Sequence, residues 1–147
     1  MKVVRKVFTG EFDHNVDKKG RMCIPVKFRE DLGEKFMICK GLDGNACLYI
    51  YPMSEWQKLD EKIQSMPVIK SRQLQRFIYP GASEVECDSQ GRILIPAKLR
   101  EYAGLESTVT VVGVSHRAEV WNTESWKSVA DECTPQNIVN SLEELDF

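Results

Sequence analysis

The chain has no apolar run approaching the roughly 20 residues that a membrane-spanning helix needs. Its opening, Met1-Lys-Val-Val-Arg-Lys-Val-Phe8, is charged and lacks the apolar segment of a signal peptide. A cytoplasmic protein is expected. Histidine is scarce, with His14 and His116 alone, and the five cysteines (Cys23, Cys39, Cys47, Cys87, Cys133) form no Cys-x-x-Cys pair. Structural zinc takes converging ligands that usually come in close pairs, so no metal is expected. The thiols read as small buried groups in a reducing compartment. A Gly-rich phosphate loop is also missing, and two histidines without an evident partner make no catalytic triad. The residues therefore point away from an enzyme and call for no cofactor.

Charge of one sign is lacking as well. Twenty basic residues face 22 acidic ones, so a net charge of −2 supplies no overall pull toward nucleic acid. The distribution is less even than the total. Residues 1–29 hold eight basic groups (Lys2, Arg5, Lys6, Lys18, Lys19, Arg21, Lys27, Arg29) against Glu11, Asp13 and Asp17, and the last 17 residues hold five acids and no base. That asymmetry suggests a local basic face on an acidic body, although solvated surface accounts for charge alone.

What the chain does have is a duplication. Asp17-Lys-Lys-Gly20-Arg21-Met-Cys-Ile24-Pro25-Val-Lys27-Phe-Arg29 returns as Asp88-Ser-Gln-Gly91-Arg92-Ile-Leu-Ile95-Pro96-Ala-Lys98-Leu-Arg100, with seven identities in thirteen positions at an offset of 71. The flanks keep the offset: Phe8 with Tyr79, Gly10 with Gly81, Glu30 with Glu101, Gly33 with Gly104. A constant offset through such a window marks an internal repeat.

Each copy reads as strand, turn, strand, short helix, strand, turn, strand. Phe12, His14 and Val16 alternate with Asp13 and Asp17, which is a strand pattern running into turn chemistry. Gly20 and Gly91 suit a positive φ, and Asp17 and Asp88 can accept hydrogen bonds from their own turn's amides. Pro25 and Pro96 end strands and suit a helix's first turn, predicting helices over Val26 to Leu32 and Ala97 to Ala103, closed by Gly33 and Gly104. Ser54-Glu55-Trp56 and Thr123-Glu124-Ser125-Trp126 read as capped helix starts. A further short helix is expected over residues 71–78.

Four expected segments follow: a first unit over 1–56, a helical connection over 57–78, a second unit over 79–126, and a C-terminal helix with acidic tail over 127–147. Neither copy of about 48 residues should bury a sufficient core alone. Pairing them about a pseudo-twofold axis would cover their sheet edges. The expected fold class is mainly β with peripheral helices. One Arg on a hairpin tip is usually solvated surface, whereas two at matched places resemble a paired device. Arginine's planar fork suits phosphate and guanine.

The duplicated Asp-x-x-Gly-Arg-hydrophobe-x-Ile-Pro-x-Lys-hydrophobe-Arg pattern resembles the MraZ family, across roughly residues 8 to 127. Phe8-Thr-Gly10, Leu48-Tyr-Ile-Tyr-Pro52 with Trp56, Gln75-Arg76, and Gly113 with Glu119-Val-Trp121 extend the match. The resemblance implies two tandem AbrB-like units in a swapped-hairpin (double-split) β-barrel. It implies a transcriptional regulator, usually a repressor, that binds direct repeats upstream of the bacterial division and cell-wall gene cluster. It further implies a closed homo-oligomeric ring, found with the nucleoid, and double-stranded DNA as partner. By that resemblance Asp17 with Arg21 and Asp88 with Arg92 carry DNA binding, on turns that include Gly20 and Gly91. Lys18 and Lys19 stand where the second copy has Ser89 and Gln90, so the first turn is expected to hold the backbone more strongly. Arg5 and Lys6 are candidate supporting contacts. The alternatives are a ring-forming scaffold, for which Leu142, Leu145 and Phe147 on the acidic tail would serve a protein partner, and an AbrB-type regulator with other targets.

Overall fold

Residues 7–145 are described in the computed structural model, so Arg5, Lys6 and Phe147 lie outside the described part. The first copy runs β1 (Glu11–Asn15), β2 (Arg21–Cys23), α1 (Val26–Leu32), β3 (Lys35–Lys40) and β4 (Leu48–Pro52). Helices α2 (Met53–Gln64) and α3 (Val68–Ile78) connect it to the second copy. That copy runs β5 (Ser83–Glu86), β6 (Arg92–Leu94), α4 (Ala97–Ala103), β7 (Thr108–Val114) and β8 (Arg117–Asn122), followed by α5 (Thr123–Glu132) and α6 (Val139–Glu144).

Proline fixes where several helices start. Pro25, Pro96, Pro52 and Pro67 each stand immediately before a helix with φ between −50° and −56° and an extended ψ. Gly104 ends α4 in the left-handed region at φ 60°, and Leu105 then folds back with its N–H on the Arg100 carbonyl at 3.0 Å. The Trp-bearing helices begin differently from expectation. Ser54 lies inside α2, which has no side-chain cap, and α5 is capped by Asn122, whose side chain accepts from the Glu124 and Ser125 amides.

The strands of the two copies interleave. Six form one antiparallel sheet in the order β1-β7-β8-β4-β3-β5, and β2 pairs with β6 in a separate two-stranded ribbon. β1 of the first copy lies on β7 of the second, with His14 opposite Val109, and β5 of the second lies on β3 of the first, with Val85 opposite Phe36. The ribbon sets Met22 opposite its copy-equivalent Ile93, and β4 meets β8 at the sheet centre. Like elements thus meet twice, as a pseudo-twofold relation requires.

Both sheet faces are covered. One core gathers Phe8, Met22, Ile24, Phe28, Phe36, Ile38, Ile93, Ile95, Leu99 and Val111, beneath the ribbon and the two short helices. The other packs Tyr49, Tyr51, Ile63, Ile78 and Trp121 with Trp56, Leu59 and Trp126 from the longer helices. β4 is buried along its whole length because it is central to the sheet and covered on both faces.

The mainly-β expectation needs correction to a mixed α and β architecture, because α2, α3 and α5 build a helical layer over a full sheet face. Among the described residues the eight strands do not close into one barrel: hydrogen bonding divides them into the six-stranded sheet and the ribbon. β2 and β6 pair with each other instead, and an isolated bridge between Val16 and Met22 links β2 to the residue that follows β1.

Candidate nucleic-acid interface

The ribbon has an inner and an outer side because strand side chains alternate. Met22 and Ile93 point inward and are buried, whereas Arg21, Cys23, Arg92 and Leu94 share the outer side. Arg21 lies opposite Leu94 and Arg92 opposite Cys23. The two arginines therefore stand diagonally across one face, and Leu94, a neighbour of both, is 59% exposed.

Each turn is tied by one carboxylate. Asp17 Oδ1 accepts from the Lys19 and Arg21 amides, both at 2.9 Å, and Oδ2 accepts from Arg21 Nε at 2.8 Å. The Gly20 amide closes onto the Asp17 carbonyl at 3.0 Å, with φ +85° at the glycine. The second turn repeats this set: Asp88 Oδ1 takes the Gln90 and Arg92 amides and Oδ2 takes Arg92 Nε, each at 2.9 Å. Gly91 closes onto the Asp88 carbonyl at 3.0 Å with φ +77°. The carboxylate bond is made through Nε, which leaves the terminal amino groups of each guanidinium outside that bond and able to donate elsewhere.

The carboxylates are held ionised by these bonds. The Arg21 amide first, then the Arg21 side chain and the Lys19 amide, outweigh desolvation and hold Asp17 below its ordinary value. For Asp88 the Arg92 amide leads, followed by the Gln90 amide and the Arg92 side chain, with the same result. Lys18 and Lys19 are exposed at the first tip, and Ser89 and Gln90 are exposed at the second.

Two residues outside the expected site belong to it geometrically. Arg29 and Arg100, the last arginines of the repeated string, send Nε to the carbonyls of Ile24 and Ile95 at 2.9 and 3.0 Å. Their guanidinium groups then lie against the glycine of the other copy's turn, Arg29 over Gly91 and Arg100 over Gly20. Arg29 sits between the copies: after burial its charge lowers the pKa of His14, and at Cys87 it opposes the burial that raises the thiol. The repetition of Arg at the end of the string is visible in the sequence. Its position across the molecule is not, because pairing between copies decides it.

No ribbon residue belongs to a candidate metal cluster. Among the described residues one group has the necessary atom types in reach, Asp43, Cys47 and Glu119, with ligand atoms within 4.8 Å of one another. Glu119 is already engaged, taking Arg117 Nη2 at 2.7 Å and Trp121 Nε1 at 3.0 Å. Burial pushes the Cys47 thiol well above its ordinary range. Three donors, one of them already bound to Arg117 and Trp121, fall short of the four ligands of a structural zinc site. No helix among the described residues is long and apolar enough to cross a membrane.

Fold and turns together define a duplicated two-unit protein that displays one Asp-anchored arginine turn per unit. The family model described as "MraZ protein, putative antitoxin-like" matches twice, over residues 7–77 and 78–145. The chain belongs to the MraZ family. It is 54% identical over 124 residues to "Transcriptional regulator MraZ" of Acetivibrio thermocellus, covering 83% of this chain and 85% of that protein. Its similarity to the protein of that name from Natranaerobius thermophilus is 44% identity over 145 residues, covering 96% and 100%. With the Moorella thermoacetica protein of the same name it shares 46% over 143 residues, covering 96% and 99%. The relatives carry the name of a regulator, in keeping with a chain that is no enzyme.

Proposed function

We propose that the protein is a DNA-binding transcriptional regulator, acting as a repressor on direct repeats upstream of the division and cell-wall gene cluster. The observation that carries this reading is the matched pair of Asp-anchored arginines on the outer face of one ribbon. A two-stranded ribbon fits the B-DNA major groove, and bidentate Arg to guanine is the commonest specific contact there. Arg21 reads bases with Arg92 in support. Lys18 and Lys19 neutralise phosphates, Asp17 and Asp88 hold the guanidinium groups, and Gly20 and Gly91 let the turns close. Arg5 and Lys6 add phosphate contacts from the chain's start.

The two units over 1–56 and 79–126 act as one module through the interleaved strands, with 57–78 and 127–147 serving connection and assembly. The interleaving supports a relation to the swapped-hairpin AbrB-like folds. A closed ring of copies on the nucleoid presents many equivalent ribbons, which lets a net-acidic chain hold DNA. Linked engagement can raise affinity by roughly 10²–10⁴ over one site. Exposed Val68 and Ile69, at the start of α3, give such a ring an apolar face to cover.

Gel-shift titration on duplex DNA from upstream of the chain's own gene tests the reading. Arg21→Ala is expected to abolish the shift without unfolding the protein, as thermal melting would show. Binding that is indifferent to Arg21 overturns it. In that case co-purification after nuclease treatment examines the scaffold alternative, in which a protein partner persists without DNA.

A further inference from the structure

We propose that Arg29 and Arg100 are positioning residues that work across the duplication: Arg100 of the second unit sets the presentation of Arg21, and Arg29 of the first sets that of Arg92. This rests on the reading of the ribbon as the DNA-binding face.

The coupling runs through one residue on each side. Ile24 gives its N–H to the Gly91 carbonyl at 2.9 Å and receives Arg29 Nε on its own carbonyl at 2.9 Å. Ile95 does the same, giving its N–H to the Gly20 carbonyl at 2.9 Å and receiving Arg100 Nε at 3.0 Å. The guanidinium then folds back on the glycine whose carbonyl that isoleucine has bound. A methyl carbon built on Gly20 would lie 2.7 Å from Arg100 Cζ, and one on Gly91 would meet the Arg29 guanidinium even more closely. The glycines thus serve twice. They take the positive φ that the turn demands, and they leave the space in which the other unit's arginine lies flat.

Lysine cannot reproduce this brace. It has no planar fork and no Nε–H fixed in that plane, so it keeps the charge and loses the geometry. Arg→Lys therefore separates a brace from a mere cationic phosphate contact. The closing residues of each turn, Gly20-Arg21 and Gly91-Arg92, are the ones that respond.

Amide hydrogen exchange on the full chain, without DNA, reads the brace. Arg100→Lys is expected to speed exchange at Gly20 and Arg21 and leave Gly91 and Arg92 as in wild type; Arg29→Lys gives the mirror pattern. Acceleration in a variant's own unit, equal acceleration in both turns, or none in either, overturns the proposal. Gel shifts on the upstream duplex then read the consequence. Arg100→Lys should weaken binding about tenfold, and by the same factor in an Arg92→Ala background. Arg29→Lys should weaken wild type about threefold and add nothing to Arg92→Ala. Full additivity of Arg29→Lys with Arg92→Ala overturns the crossed assignment. Failure of the DNA reading itself shows separately, as Arg21→Ala shifting the duplex like wild type while the exchange pattern stands.

Discussion

The Asp17–Arg21 and Asp88–Arg92 turns are held by the same five bonds, with lengths that agree within 0.1 Å, yet they carry different residues at their tips. Lys18-Lys19 occupies one tip and Ser89-Gln90 the other. The shared bonds come from the Asp carboxylate, the Arg Nε and the backbone, and neither tip side chain contributes to them. Shape is therefore fixed by the repeated residues, and charge is left free to differ. A pseudo-symmetric molecule can in this way offer two guanidinium groups in like geometry and two unlike electrostatic surroundings.

Exchanging the tips tests that separation most forcefully. Replacing Lys18-Lys19 by Ser-Gln should reduce the salt dependence of DNA binding by roughly 1 in slope for each phosphate that an engaged copy no longer neutralises. Placing Lys-Lys at 89–90 should restore it in part, read by gel shift across a salt series. An unchanged slope in both variants would remove the lysines from the interface.

The glycines offer a second, smaller contrast. Gly20→Ala and Gly91→Ala each place a Cβ at positive φ, costing about 1–2 kcal/mol, and each pushes against a guanidinium from the other unit. The Gly91 variant should lose more in urea unfolding, since its Cβ would meet Arg29 more closely than the Gly20 Cβ meets Arg100. Equal losses would mean that the left-handed backbone alone sets the cost.

The smallest difference is expected in acid. Both carboxylates are lowered from the ordinary 3.8 in the folded state, so the turns' contribution is complete above that value and fades as pH falls through the lower folded values. Carboxyl-carbon NMR shifts should show both Asp17 and Asp88 titrating below 3.8. A midpoint at or above 3.8 for either would mean that its turn is not held by the carboxylate in solution.

Much of this is legible locally. Helices α1 and α4 have the bounds that proline and glycine predict, since a residue with fixed φ and no N–H starts a helix and a glycine at positive φ ends one. The Asp and Gly of each turn are likewise local chemistry, complete within five residues. Less legible are the caps. The Ser54 and Thr123 hydroxyls suit the role, yet α2 starts after Pro52 without a side-chain cap and Asn122 caps α5, because the preceding strands run on to those residues. Each of those helices is expected from local pattern; that together they cover one sheet face is not, because it depends on how the strands pair.

That the chain is doubled, where its turns fall and which arginine each turn displays all follow from the order of residues, because proline, glycine and aspartate act on their immediate neighbours. The pairing of β1 with β7, β5 with β3 and β2 with β6, across the copies, belongs to the folded chain alone. Two copies of one motif present like hydrogen-bonding edges, so pattern alone cannot say whether a strand pairs within its copy or with the other. Burial of Met22 and Ile93 under a shared ribbon fixes the choice. With it comes the placement of Arg29 and Arg100, each beside a turn distant from it in the chain.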